Sequence, residues 1–364
     1  MRWMILGPRR DDDRGAVAAL VAVLLSTGVL LGMAALSVDV GQLYAERRQV
    51  QNGADAAALA IALNCANPAK PCPGEPAGTM ASANANDGTT AAGPVCGAGR
   101  GLPGCGGMPG PALTQCPAPL AGVEGWVRVL TATATAGGGT LLPPAFARAL
   151  AGNAGYTGTQ VRACAQAAWG GEASGKALPL TLSLCEWNTA TANGTSFAPS
   201  PPYPPYPAGE VALKLHSTSD TTGGCTVSGS GSDLPGGFGW LDSTGCQATT
   251  IAGGFVSADP GVSASSCADQ LAALVGTVLY LPVFDQASGT GTGGQYHIRG
   301  FAAFYLSGYV LPGAHPTTVN PPGTVTKCKG SDKCIYGWFT QGLVPTGGAI
   351  GGPSMGARVV ALTG

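Results

Sequence analysis

Three strings and three histidines in this 364-residue chain have the residue types of a reaction centre. Gly352-Pro353-Ser354-Met355-Gly356 fits G-x-S-x-G, the turn that lifts a nucleophilic serine above a sheet. That serine needs a strand before it, a helix after it and a later His, yet the eight residues that follow contain no His. Gly289, Gly291 and Gly294 satisfy G-x-G-x-x-G, but the strand-like QYHIRGFAAF follows instead of a helix whose N-terminus could hold a pyrophosphate. This reads as a hairpin tip. Gly170 to Lys176, GGEASGK, approaches a phosphate-binding loop, but Ala177 replaces the magnesium-binding Ser or Thr and Pro179 interrupts any helix. It reads as a loop. His216, His297 and His315 are far apart and have no partner within a motif. No catalytic, cofactor-binding or metal-ligating residue is expected, and the chain reads as a non-enzyme.

Twelve cysteines are the other chemistry-bearing set. None forms C-x-x-C, and they are scattered through Gly- and Pro-rich stretches, which favours disulfides in an oxidising compartment over zinc. A zinc site needs close Cys or Cys/His pairs converging on one tetrahedron. Cys328 and Cys334, separated by KGSDK, are the first candidate pair, and Cys225 with Cys246 the second.

Composition narrows the classes further. Charged residues are 10% of the chain, against roughly 25% in an ordinary soluble domain. The net charge of −1 leaves no basic footprint for nucleic acid. Gly (59) and Pro (29) together approach the level at which low-complexity segments arise.

The elements that must carry any function begin with a membrane segment. Gly15 to Val38 contains no charged residue, and 24 helical residues reach about 36 Å, more than a bilayer core of roughly 30 Å. A cleaved signal peptide has a shorter apolar core, so a retained span over residues 15–40 is expected, with a lipid bilayer as partner. Arg2, Arg9, Arg10 and Arg14 precede the run, while only Arg47 and Arg48 follow it closely. Residues 1–14 are therefore expected in the cytoplasm and the rest outside, as a single-pass protein of the cell membrane. Gly28 and Gly32 form a GxxxG that allows helix-mediated self-association.

No strong helix breaker follows until Pro68. Leu36, Val40, Leu43, Val50, Ala54, Ala57 and Ile61 recur at helical spacing once Arg47 is counted. A stalk helix is expected over residues 41–64, with this stripe, Asp39 and Tyr44 as the contact surface for a partner. Asp39 is expected at the outer rim of the span, where its carboxylate reaches water or that partner.

These residues carry a resemblance. Arg14-Gly15, the apolar run, Val38-Asp39-Val40-Gly41, Tyr44, and Gln51-Asn52-Gly53-Ala54-Asp55-Ala56-Ala57-Ala58-Leu59-Ala60 form an ordered series that resembles the N-terminal segment of the TadE/TadG-like family. Those membrane-anchored proteins are associated with assembly of Flp, or tight-adherence, pili. The resemblance covers about 50 residues and implies partners among pilus-assembly or other envelope proteins. VEGWVRVLTATAT, LLPPAFARALAG and TQVRACAQAAWG resemble the strand–helix–strand passage that follows the anchor, and the tail resembles outer regions of actinobacterial members. Two departures stand out. Pilins carry a Glu five residues after their cleavage Gly, where this chain has Leu20. Larger family members add a domain with a D-x-S-x-S metal loop, which is missing from this sequence.

Residues 65–120 read as a Cys/Gly/Pro-rich loop region, and 121–170 as a strand–helix–strand module with its helix in PPAFARALAG. Residues 171–364 read as a β-rich extracellular domain. Its candidate strands include LPLTLSLCEW, EVALKLHS, TVLYLPVFD, YHIRGFAAFYLSGYVL and IYGWFTQGLV, and PSPPYPPYPAG is a surface spacer. In GGFGWLD, Phe238 and Trp240 are core aromatics at a turn or exposed platforms for a sugar. The fold class expected is α+β: a transmembrane helix, a stalk helix and a disulfide-rich, mainly β outer domain. The expected role is structural, in pilus assembly; the alternative is a surface-anchored module binding carbohydrate or cell wall.

Overall fold

A computed structural model describes residues 12–26, 29–74, 76–106, 116, 118–149, 155–201, 203–214, 238–259, 264–289, 293–311, 314, 316–323, 325–328, 332–345 and 348–363. Helices α1 (Asp12–Ser26) and α2 (Val29–Ala66) open the order, followed by α3 (Ala77–Ala83). Strands β1 (Thr90–Ala92), β2 (Cys96–Ala98) and β3 (Gly125–Thr133) come next, then a 3-10 turn at Ala147–Ala149. β4 (Arg162–Ala177) and β5 (Leu180–Ser183) lead into α4 (Leu184–Thr191). β6 (Val211–Lys214), β7 (Phe238–Trp240), β8 (Ala248–Ile251) and β9 (Phe255–Ser257) precede α5 (Ala264–Leu274). The long strands β10 (Val278–Ser288) and β11 (Gln295–Val310) are followed by β12 (Thr318–Val319) and β13 (Cys334–Thr340). β14 (Gly342–Leu343), β15 (Ala349–Gly352), β16 (Ser354–Met355) and β17 (Ala357–Leu362) complete the order. The fold is mixed α+β and mainly β.

The chain divides into two compact units, one of residues 1–56, 77–94 and 130–164, the other of 57–76, 95–129 and 165–364. In the first, α2 turns Glu46, Val50, Gly53 and Ala54 inward, the i, i+4, i+7, i+8 pattern of one helical face. β1 pairs antiparallel with the end of β3, Thr90 opposite Thr133. The Thr131 hydroxyl donates to the carbonyl of Val50 at 2.7 Å. α3 buries Ala77 and Ala81, and Gly53 is needed there: a Cβ on it would meet the Ala81 carbonyl oxygen at 2.9 Å.

In the second unit β11 is central, flanked antiparallel by β10 and β13 in the order β6-β13-β11-β10-β5-β7. Residues 300–309 of β11 are all buried, as expected of a strand covered on both faces. Around it lies a core that includes Leu281, Val283, Phe304, Leu306, Tyr309, Ile335 and Phe339. β4 pairs with β17, β15 and β8. Gly125 lets Trp169 lie flat on the backbone, since a Cβ would stand 2.2 Å from the ring. α2 ends within this unit, where Arg100 donates to the carbonyls of Cys65, Asn67 and Lys70. The Cys65 carbonyl is one of those that a helix end leaves orphaned, while Asn67 and Lys70 lie in the turn beyond it.

Several expectations are corrected. Among the described residues no helix is long and apolar enough to cross a membrane. The charge-free run is divided between α1, of 15 residues, and the start of α2, with residues 27 and 28 outside the described set. The spanning helix expected over 15–40 has no support among the described residues, which do not include 27 and 28. In PPAFARALAG, whose last three residues lie outside the described set, the described residues hold a 3-10 turn at Ala147–Ala149 where a helix was expected. LPLTLSLCEW stops being a strand at Ser183, whose hydroxyl accepts from the Cys185 N–H and caps α4. GGEASGK lies inside β4, paired on both edges, and is no loop. Residues 65–120 carry α3, β1 and β2 beside two disulfides. The Pro-rich spacer lies on the surface as expected, with Tyr206 stacked on Trp338 at 5.9 Å and the Trp338 indole N–H donating to Pro207.

Candidate functional site

Asp39 sits on α2, in the Val-Asp-Val-Gly that ends the charge-free run. It is only 8% exposed. Its carboxylate Oδ1 accepts from the backbone N–H of Ala145 at 2.7 Å and Phe146 at 3.0 Å. Oδ2 accepts from Phe146 at 3.2 Å and Ala147 at 2.6 Å. Successive N–H groups at the start of a helical turn form a site for an anion, and here the anion is the chain's own side chain. The expectation that Asp39 reaches water or a partner is corrected: it is an internal tie.

About two turns further along, Glu46 is also 8% exposed. Burial raises its pKa, opposed by a side-chain hydrogen bond with Thr133 and assisted by the charge of Asp87. Gln51 donates to Asp55 and to the Cys164 carbonyl.

The expected contact stripe divides. Val50 and Ala54 are buried in the first unit, and Ala57 and Ile61 in the second. These four are not available to a partner, because the protein's own strands and helices cover them. Exposed apolar side chains lie earlier: Val17, Leu20, Val21 and Val23 on α1, and Met33, Leu36, Val38, Val40 and Tyr44 on α2, with Tyr44 67% exposed. Leu43 is half-buried. Gly28 lies outside the described residues, and a Cβ on Gly32 would meet open space.

Trp240 is 8% exposed and belongs to the core, so it is no platform for a sugar. Phe238 is in β7, paired opposite Leu182, and its side chain lies outside the described set. Cys328 is bonded to Cys334. Cys246 is bonded to Cys267 instead of Cys225, bringing α5 onto the strand region; Cys225 lies outside the described residues. Cys65–Cys72 and Cys96–Cys105 are further disulfides.

Two groups with titratable chemistry escaped the motif reading. His297 Nδ1 lies 2.5 Å from Asp285 Oδ1, with Phe255 against the ring at 4.9 Å. They join because β10 and β11 pair antiparallel, a register that motif spacing does not express. His216 and His315 lie outside the described residues. Glu172, on β4, is 3% exposed and lines a cavity of about 470 Å³ with Lys176, Gln247, Gln270 and Tyr280. Burial pushes its pKa from 4.5 up to about 7. The Tyr280 hydroxyl donates to the Leu343 carbonyl, and its pKa is raised by burial and then by the Glu172 charge. A carboxyl near neutrality can exchange protons at physiological pH. Among the described residues, no three His, Cys, Asp or Glu side chains gather as a metal site would require.

No curated protein and no solved structure matches the chain. Residues 15–62, the segment that carries Asp39 and the exposed apolar side chains, match the family model described as "Putative Flp pilus-assembly TadE/G-like".

Proposed function

We propose that this chain is a single-pass protein of the cell envelope with a structural, non-enzymatic role in assembly of Flp-type pili. One observation carries the reading: the family match over residues 15–62 falls on the two helices whose apolar side chains stand exposed. A charge-free run of this length suits a bilayer core, and the preponderance of Arg before it puts the N-terminus in the cytoplasm. The open surface at Gly32 suits close approach of a second helix. Tyr44, exposed just beyond the run, is where an envelope partner would meet α2.

Trp240 is withdrawn from the carbohydrate-binding alternative by its burial, and no other observation favours that reading. A photo-crosslinking residue at position 44, combined with alkaline extraction of membranes, tests the proposal. The chain is expected to stay in the membrane pellet and to form adducts with pilus-assembly proteins. Extraction into the soluble fraction would overturn the anchor, and a retained chain without such adducts would overturn the assembly role.

A further inference from the structure

Three contacts within the first unit trace the path of the chain after β3. The Thr131 hydroxyl bonds to Val50, Thr133 to Glu46, and the N–H groups of Ala145 to Ala147 to Asp39. The segment therefore runs back along α2 toward the apolar run, over about 16 Å at 1.5 Å per helical residue. Its turn at residues 141–148 ends beside Asp39, where the charge-free run stops. Leu141 (42%) and Phe146 (48%) are exposed there, and so is Arg148. On the helix at this level, Leu36, Val40 and Tyr44 are exposed too.

The backbone of this turn is unusual. Leu142 N–H donates to Thr159, Pro143 and Pro144 have no N–H, and the next three donors are taken by Asp39. From Leu142 to Ala147 no backbone donor is left to be satisfied by water. Such pairing lowers the cost of placing these donors in a poorly hydrating layer, because an unpaired donor is costly there. Aromatic and aliphatic tips beside an Arg are also the composition of a bilayer interface.

We propose that the 141–148 turn dips into the headgroup layer of the outer leaflet, with Leu141 and Phe146 inserted and Arg148 at phosphate level. Asp39 acts as the seal that lets it do so. The proposal rests on the membrane reading above. The occupant is lipid; a protein partner covering the same residues is the competing outcome.

The test uses the full chain reconstituted in phosphatidylcholine–phosphatidylglycerol vesicles. Phe146→Cys is labelled with an environment-sensitive dye, which is selective because no described cysteine is free. Asn86→Cys is the control, since Asn86 bonds to Gln49, ten helical residues or about 15 Å beyond Asp39. A blue-shifted emission at position 146 is expected, quenched at least about twofold more by headgroup-level than by chain-end nitroxide lipids. Position 86 should behave as in water. Vesicles that float with the chain while position 146 reports water would overturn the turn's insertion and leave the anchor standing. A chain that does not float overturns both.

Discussion

Asp39 is a charge at the edge of an apolar run, and its partners are three backbone N–H groups 106 to 108 residues later. Backbone donors have no side-chain signature, so this tie was illegible before the fold was known. Asp39→Ala strands those donors and should destabilise the first unit by about 1–3 kcal/mol. Hydrogen exchange at residues 145–147 and trypsin cleavage after Arg148 should both accelerate; unchanged protection would refute the tie. Glu172 makes a different prediction. Its folded pKa, about 7 against 4.5, means the folded state binds the proton more tightly than the unfolded one. Its favourable contribution is full below pH 4.5 and is lost as pH rises through about 7. Glu172→Gln should match the parent near pH 4 and exceed its stability near pH 8 by on the order of 2–3 kcal/mol. Denaturant midpoints at the two pH values decide this, and an equal effect at both would exclude charge burial as the cause.

At the level of elements, periodicity located faces better than it named their partners. Val50, Ala54, Ala57 and Ile61 form a buried face, yet they were assigned to another protein, since a stripe of small residues says that something covers it and not what. Gly53 shows how close that cover is. Gly53→Val should push α3 away from α2 and cost about 1–3 kcal/mol, with exchange in residues 77–83 rising before the rest of the unit. A variant of parental thermal stability would contradict the close approach. The strands over 278–288 and 295–310 follow directly from their apolar runs and the Gly-rich tip between them. PPAFARALAG did not declare itself, because two prolines followed by a helical pattern are equally consistent with a helix and with one capped turn; the capping carboxylate is remote in sequence. Ser183 in LSLCEW was a local signal, a cap before Glu186, outweighed by the apolar alternation around it.

For the molecule as a whole, the scattered cysteines indicated disulfides and the alternating apolar runs a mainly β region, and the disulfides and sheets agree. Cysteine pairing was another matter: residues close in sequence can be matched by eye, but Cys246 finds Cys267 only because α5 packs into the core, where both are buried. Replacing both by Ser opens a loop of 21 residues and should lower stability by about 3 kcal/mol, read from thermal unfolding. A loss no larger than that of an exposed substitution would mean that the core holds α5 without the bond.

The tie at Asp39 also has an order in time. The helix that carries it is made and placed long before residues 145–147 exist as donors. Until more than a hundred further residues have been made, the carboxylate lacks the donors that hold it in the folded chain. The face of the helix at Asp39 is therefore completed only by the last part of the first unit, and a chain halted short of residue 145 would leave that carboxylate without its backbone donors.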